Sequence, residues 1–124
     1  MAAWWDQHRG YPVVIALEAG TTVGWASLNR FSPRFAHAGI ADLSVYVGRQ
    51  HRGRGIGGAL LRALESEALA AGFHKIVLHA LDENEAGKRL YRNAGFREVG
   101  IFRQHGVIGN RRVDVVAMEK LLLT

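Results

Sequence analysis

Nine residues in the middle of the chain, Gln50-His51-Arg52-Gly53-Arg54-Gly55-Ile56-Gly57-Gly58, combine four glycines with two arginines. Glycines let a backbone come close to a ligand, consecutive N–H groups form an anion-binding nest, and a helix N-terminus adds partial positive charge. The chemistry this suits is the holding of a pyrophosphate. A plain turn with solvated arginines is the alternative, disfavoured because so many glycines weaken a helix start. A P-loop needs Gly-Lys followed by Ser or Thr, and the chain has no Lys-Ser or Lys-Thr pair. Gly53-x-Gly55-x-x-Gly58 satisfies a dinucleotide fingerprint, with Asp82 as its acidic residue. In that fold, however, the first glycine turns directly out of an early strand, whereas here Gly48 to Arg52 intervene and a hairpin comes first. A third pattern, Gln/Arg-x-x-Gly-x-Gly/Ala, is met at every fixed position by Gln50, Gly53 and Gly55.

Other reactive side chains narrow the chemistry. With no cysteine there is no thiolate nucleophile and no thiolate zinc site. Histidines 8, 37, 51, 74, 79 and 105 show no His-x-x-x-His spacing, so no metal is expected. Serines 27, 32, 44 and 66 lie outside any Gly-x-Ser-x-Gly elbow, which leaves acyl-serine catalysis without support.

The elements that must position the glycine-rich turn follow from periodicity. Tyr11 to Ala19 is a short β-branched run, Gly20-Thr21-Thr22 a turn, and Val23 to Leu28 its antiparallel partner. Asn29 to Gly39 reads as a long loop before a strand at Ile40 to Val47. From Ile56, apolar residues recur at Ile56, Leu60, Leu61, Leu64, Ala68 and Leu69, with Arg62, Glu65, Ser66 and Glu67 opposite. This is an amphipathic helix closed by Gly72. Lys75 to Leu81 is a strand, and Glu85 to Ala94 a second helix ended by Gly95. Phe96 to Phe102 and Val113 to Leu121 are final strands separated by a polar loop that contains His105. The order is β-β-β-α-β-α-β-β, an α/β (α+β) arrangement. It predicts a mostly antiparallel mixed sheet with a central parallel strand pair and flanking helices.

At 124 residues, one domain spanning 1–124 is expected, and 48% apolar with 22% charged residues excludes disordered and fibrous classes. Sixteen Lys and Arg against eleven Asp and Glu leave a net charge of +5. Arg49, Arg52 and Arg54 crowd around the glycines instead of spreading along a face, so a small phosphorylated ligand is expected and nucleic acid is not. The absence of cysteine, of a long apolar run and of a leader pattern predicts a cytoplasmic protein without membrane contact.

Two ordered motifs carry a family resemblance. Besides the Gln50 to Gly55 turn, Asn84-Glu85-Ala86-Gly87-Lys88-Arg89-Leu90-Tyr91-Arg92-Asn93-Ala94-Gly95-Phe96 has Asn followed by Leu-Tyr and then Gly-Phe. Together they resemble the GNAT superfamily of N-acetyltransferases, over roughly Pro12 to Leu122. Asp42-Leu43-Ser44-Val45-Tyr46-Val47 is similar to the phosphinothricin acetyltransferase-like branch, as is Asp114-Val115-Val116-Ala117-Met118. The resemblance implies acetyl-CoA as cosubstrate and direct transfer to the primary amine of a small molecule such as an amino-acid analogue. It implies that Arg52, Gly53, Arg54, Gly55, Ile56, Gly57, Gly58 and Asn84 bind the cofactor. The pantetheine arm would pair with the strand at Val45, Tyr46 and Val47, whose main-chain N–H groups from Leu43 onward polarise the carbonyl. Ser32, Pro33, Arg34 and Asp42 would meet the substrate. Asp42 is the candidate base and Tyr91 the candidate acid, since a phenol of pKa ~10 can protonate a thiolate whose conjugate acid lies near ~8.5.

Three departures from that branch bear on substrate and assembly. Ser32 stands before Pro33 where relatives carry Arg, and Arg112 stands where they carry Trp. Only about twelve residues precede the first hairpin, against some forty in the family, so most of the usual first strand and helices are expected to be missing. Self-association as a homodimer is the expected consequence, with Trp4 and Trp5 as anchors. A protein N-terminal or ribosomal-protein acetyltransferase is the alternative activity. A CoA-binding inactive fragment is the other alternative.

Overall fold

A computed structural model describes residues 10–122. Trp4 and Trp5, the expected dimer anchors, lie outside the described residues. The chain forms β1 (Val13–Glu18), β2 (Thr21–Arg30), β3 (Ile40–Val47), α1 (Ile56–Ala70), β4 (Lys75–Leu81), α2 (Glu85–Asn93), β5 (Arg97–Ile108) and β6 (Arg111–Leu121). The six strands make one sheet in the order β1-β2-β3-β4-β6-β5, in which only β3 and β4 run parallel. The expected element order and the expected mixed sheet are therefore present.

Alternation along the strands divides the sheet into two faces. Ala26 and Leu28 of β2, Ala41 and Leu43 of β3, and Ile76 and Leu78 of β4 are buried and form the core with Leu60, Leu61, Leu64 and Ala68 of α1. The opposite face carries Trp25, Asp42, Tyr46 and His79, and Trp25 and Tyr46 are exposed there. Leu69 differs from the expected apolar face of α1: it is 39% exposed, because the helix turns it past the edge of the core.

Both helices end in the same three residues, Ala-Gly-Phe, and for the same reason. At α1, Gly72 has φ +90, its N–H donates to Leu69 O (3.1 Å), and Phe73 N–H donates to Ala68 O (3.0 Å). At α2, Gly95 has φ +98, with Gly95 N–H to Arg92 O and Phe96 N–H to Tyr91 O, both 3.0 Å. These are Schellman closures, in which glycine takes the left-handed position and the following apolar residue packs back. Phe73 and Phe96 are both buried.

The expected polar loop around His105 is instead strand. β5 and β6 extend to a two-residue turn at Gly109-Asn110, and the polar stretch is absorbed by register shifts between Glu98 and Gly100 and between Phe102 and Gly106. At the second shift Gln104 has φ +49 and its N–H donates to Asp114 Oδ1 (2.8 Å). Because β5 is an edge strand with both faces largely exposed, it shows no alternation to read. Arg111 of the C-terminal basic cluster makes a bidentate pair with Glu83, 3.0 Å at each contact, which ties the β5–β6 hairpin to the loop before α2. Arg112 donates to Gln104 Oε1 (3.1 Å).

Burial separates two leucines that share one apolar stripe. Leu64→Ala, at 1% exposure, is expected to lower unfolding free energy by about 2–5 kcal/mol in urea denaturation. Leu69→Ala should change it by roughly 0.5 kcal/mol or less.

Candidate active site

The β3–β4 ladder has three pairs, Ile40↔Lys75, Ala41↔Ile76 and Asp42↔Val77, and then stops. β3 continues to Val47 bonded to β2 on its other side, through Gly24↔Val47, and β4 continues to Leu81 bonded to β6, through Leu81↔Val115. Each strand follows its outer partner, so the two separate beyond Asp42. The backbone of Leu43 to Val47 has no strand opposite it on the β4 side. Above this gap, on the helix-covered face, lies a cleft of about 430 Å³ lined by Leu43 and Ile76 from the sheet, Gly55 and Arg62 from α1, and Leu90 and Asn93 from α2. Lys120 closes its far end, with Nζ donating to Glu65 Oε2 of α1 (2.8 Å) and to Ala94 O after α2 (2.7 Å).

The glycine-rich turn stands at the mouth of that cleft. Gly48 N–H donates to Val23 O (2.8 Å), and a short 3-10 turn at Arg49–His51 leads to Gly53 (φ +76) and Gly55 (φ +82). A Cβ built on Gly53 or Gly55 meets nothing within 4 Å, so the space beside both is open. Gly55 is the N-cap of α1 and no side chain caps the helix. The first-turn N–H groups of Ile56, Gly57 and Gly58 therefore point out of the helix end. Gly57 has a further reason to lack a side chain, since its Cβ would stand 3.1 Å from Leu90 Cδ2. It lets α2 approach α1, which leaves only its amide for a ligand. Arg52 is exposed, with Nε donating to Val47 O (3.1 Å). Arg54 pairs with Glu18 of β1 (3.3 Å) and touches His51 Nδ1 (3.1 Å). Val45 and Val47 pack toward the core, and Tyr46 lies on the open face with its ring stacked on Trp25, centroids 6.3 Å apart.

Asp42 sits at the last rung before the gap, on the open face. Asn29, its cross-strand partner on β2, donates from Nδ2 to Asp42 Oδ2 (3.4 Å) and to Ser44 Oγ (2.9 Å), and accepts at Oδ1 from Ser27 Oγ (3.1 Å). His79 Nδ1 of β4 is 4.0 Å from Asp42 Oδ1. Burial pushes the Asp42 carboxyl above the ordinary carboxylate range, against smaller opposing effects of the Asn29 hydrogen bond and the His79 charge. Sequence reasoning missed Asn29, Ser44 and His79. Polar residues at alternate positions in otherwise apolar strands were the available signal for them.

Tyr91 is half-buried on α2, edge-to-face with Phe96 at 6.1 Å, and burial raises its phenol. It packs against the core on the helix-covered side, across the sheet from Asp42, and does not line the cleft. Asn84 is the N-cap of α2, its Oδ1 accepting from Gly87 N–H (2.9 Å), so its amide nitrogen is what it can offer a ligand. Ser32, Pro33 and Arg34 lie in the β2–β3 connection, held by Arg34 N–H to Ser32 Oγ (3.1 Å) and by Arg30 to the Ser32 and Pro33 carbonyls. None of the three has a contact with Asp42 among these bonds. Asp82, the acidic residue of the dinucleotide pattern, is engaged by Lys88 Nζ at 3.0 Å. Among the described residues no group of three or more His, Asp or Glu is placed to hold a metal ion. No helix there is long and apolar enough to cross a membrane.

An L-methionine sulfoximine/L-methionine sulfone acetyltransferase of Pseudomonas paraeruginosa is 36% identical over 120 residues, covering 94% of this chain and 70% of its own length. The crystal structure of a ribosomal-protein-alanine N-acetyltransferase from Brucella melitensis superposes with a TM-score of 0.93 at 35% identity, covering 98% of this chain and 76% of that one. A phosphinothricin acetyltransferase from Sinorhizobium meliloti, solved in complex with acetyl-CoA, gives a TM-score of 0.91 at 28% identity, with 98% and 66% covered. Residues 1–96 match the acetyltransferase (GNAT) family itself, and with the gap, the glycine turn and these relatives in agreement, the chain belongs to that family.

Proposed function

We propose that the chain transfers the acetyl group of acetyl-CoA directly to the primary amine of a small molecule such as an amino-acid analogue. The observation that carries this is the gap between β3 and β4, with an open, uncapped glycine turn at one side and a half-buried carboxylate at the other. Bound acetyl-CoA supplies an activated acyl carbon and a thiol leaving group. The nest at Gly53 and Gly55, with Arg52 and Arg54 swinging from their present partners, suits a pyrophosphate. The unpaired side of Val45, Tyr46 and Val47 suits the amide-bearing arm by strand-like pairing, and Asn84 would add an amide donor at the far side.

Asp42 takes a proton from the substrate ammonium, leaving the nitrogen pair to form the new C–N bond as the C–S bond breaks. Its raised pKa makes it a better base than an exposed aspartate. Tyr91, next to the cleft-lining Leu90 on α2, is assigned to give its phenolic proton to the departing sulfur once its ring turns from Phe96 toward the gap, and the second N–H proton shed by the acylated nitrogen returns to the phenol oxygen. Its raised pKa keeps that proton on oxygen until negative charge builds on the sulfur. Ser32, Pro33 and Arg34, in the β2–β3 connection, are assigned to substrate contact. A ribosomal-protein or protein N-terminal acetyltransferase is the second reading, favoured by the Brucella neighbour's name. The lack of cysteine supports a cytoplasmic setting, and exposed Ile15, Trp25 and Tyr46 on the open face support a homodimer.

Thiol release from acetyl-CoA, followed with a panel of amino-acid analogues and N-terminal peptides, tests the reading. Turnover with free amino-acid analogues and none with peptides is expected; turnover with peptides alone would select the second reading, and CoA binding without turnover would mark an inactive domain.

The two proton-transfer roles separate by pH. Asp42→Asn should lower the rate at neutral pH by roughly 10²–10⁴, with partial recovery at alkaline pH where the amine deprotonates unaided. Tyr91→Phe should cost a similar factor with no alkaline recovery. Because burial raises the Asp42 pKa on folding, its ionisation opposes folding once the pH exceeds the ordinary aspartate value. The Asp42→Asn protein should therefore melt no lower than the parent at pH 7, and wild-type activity in it from pH 6 to 10 would remove Asp42 from the mechanism.

A further inference from the structure

We propose that His79 carries the proton from Asp42 to solvent, so that the base is a carboxylate–imidazole pair instead of a lone carboxylate. This rests on the reading of Asp42 as base. After Lys75 at its first position, β4 reads Ile76-Val77-Leu78-His79-Ala80-Leu81, so His79 is a polar side chain set within an apolar run. It shares the open face with Asp42 and stands two residues beyond the last β3–β4 rung, at the mouth of the gap. Asn29 binds Asp42 at Oδ2, and Oδ1 is the oxygen nearer His79. The 4.0 Å separation from Nδ1 is longer than a hydrogen bond, so the transfer requires a side-chain rotation that closes it.

The surroundings favour relay over a structural ion pair. The His79 side chain is 44% exposed against 32% for Asp42, so the imidazole meets bulk water more freely than the carboxylate does. Its ring rests 6.0 Å from Phe102 of β5, which is itself stacked on His105 at 4.6 Å, an aromatic wall that orients the imidazole. On the same face, β6 presents Ala117 opposite His79 and Glu119 opposite Val77; the Glu119 carboxylate is bound by Lys75 and Arg97. β2 and β3 contribute the neutral Asn29 and Ser44. His105 and the Tyr46 phenol are further titratable groups on this face, and among the described residues neither is held in an ion pair.

The step balances as follows: an ammonium N–H proton moves to Asp42 Oδ1, and the nitrogen keeps the electron pair for the acyl carbon. The carboxyl proton then passes to His79 Nδ1, which restores the Asp42 carboxylate and forms an imidazolium, and the imidazolium releases its Nδ1 proton to water, which restores the Nε2–H tautomer for the next turnover. A carboxyl whose burial favours its protonated form needs such an acceptor, and imidazole is the side chain whose ordinary titration lies nearest neutrality.

The test uses the full chain and compares His79→Ala, His79→Phe and Asp42→Asn. His79→Ala should lower kcat about 10²-fold at pH 7 with KM for acetyl-CoA unchanged, and added imidazole should restore it in a dose-dependent way. His79→Phe keeps the contact with Phe102 and should fail as His79→Ala does; near parental activity in it would mean packing and overturn the relay. Loss without imidazole rescue, or an acid limb that moves with His105→Ala and not with His79→Ala, would also overturn it. If Asp42→Asn is impaired while both His79 variants keep the parental pH profile, the relay alone falls. If Asp42→Asn is unimpaired, the reading of Asp42 falls and the relay with it.

Discussion

β3 and β4 run parallel and share only three rungs, while each is bonded along its length to an antiparallel partner on the outside. Sheet twist then pulls the two apart, because β3 must follow β2 and β4 must follow β6. The separation begins at the carbon that bears the candidate base. It leaves strand-like backbone unpaired in the middle of a sheet, where pairing is ordinarily complete. Everything else in the site is arranged around that opening. α1 starts where β3 ends, so the glycine turn and the helix N-terminus sit at one rim. The α1–α2 cleft lies above it, and Asp42, Asn29, Ser44 and His79 lie below.

The rest of the fold keeps the opening from collapsing. α1 is anchored by Leu60, Leu61 and Leu64 on the β2–β3 half of the sheet, and α2 is held against it by the Gly57–Leu90 approach. Lys120 spans the two helices by bonding Glu65 and the Ala94 carbonyl. Replacing it would leave a half-buried carboxylate and a helix-terminal carbonyl without their donor. The Arg111–Glu83 pair and the Lys88–Asp82 pair fix the loop between β4 and α2 from both sides, which sets where Asn84 begins the second helix.

Much of this was legible locally. The glycine turn, the apolar stripe of α1 and the β3 boundaries follow from residue types within a few positions of one another. So do the two Ala-Gly-Phe closures, whose glycines need a left-handed conformation and whose phenylalanines need burial. What escaped depends on register. Asn29 meets Asp42, and His79 reaches it, only because β2, β3 and β4 pair as they do; along the chain these residues are 13 and 37 positions away from Asp42. Gly57 looked like part of the phosphate cradle, and its role in helix approach appears only when α2 is in place. The polar stretch from Arg103 to Arg112 read as loop because an exposed edge strand with two register shifts has no periodicity to detect.

Backbone amide hydrogen exchange with and without CoA reports the β3–β4 gap itself and not the chemistry beside it. Fast exchange is expected, in the free protein, for those Leu43 to Val47 amides that point away from β2. Saturating CoA should protect them together with the Ile56 to Gly58 amides. Protection confined to other strands, or none at saturating CoA, would contradict the assignment of the β3–β4 opening as the cofactor seat.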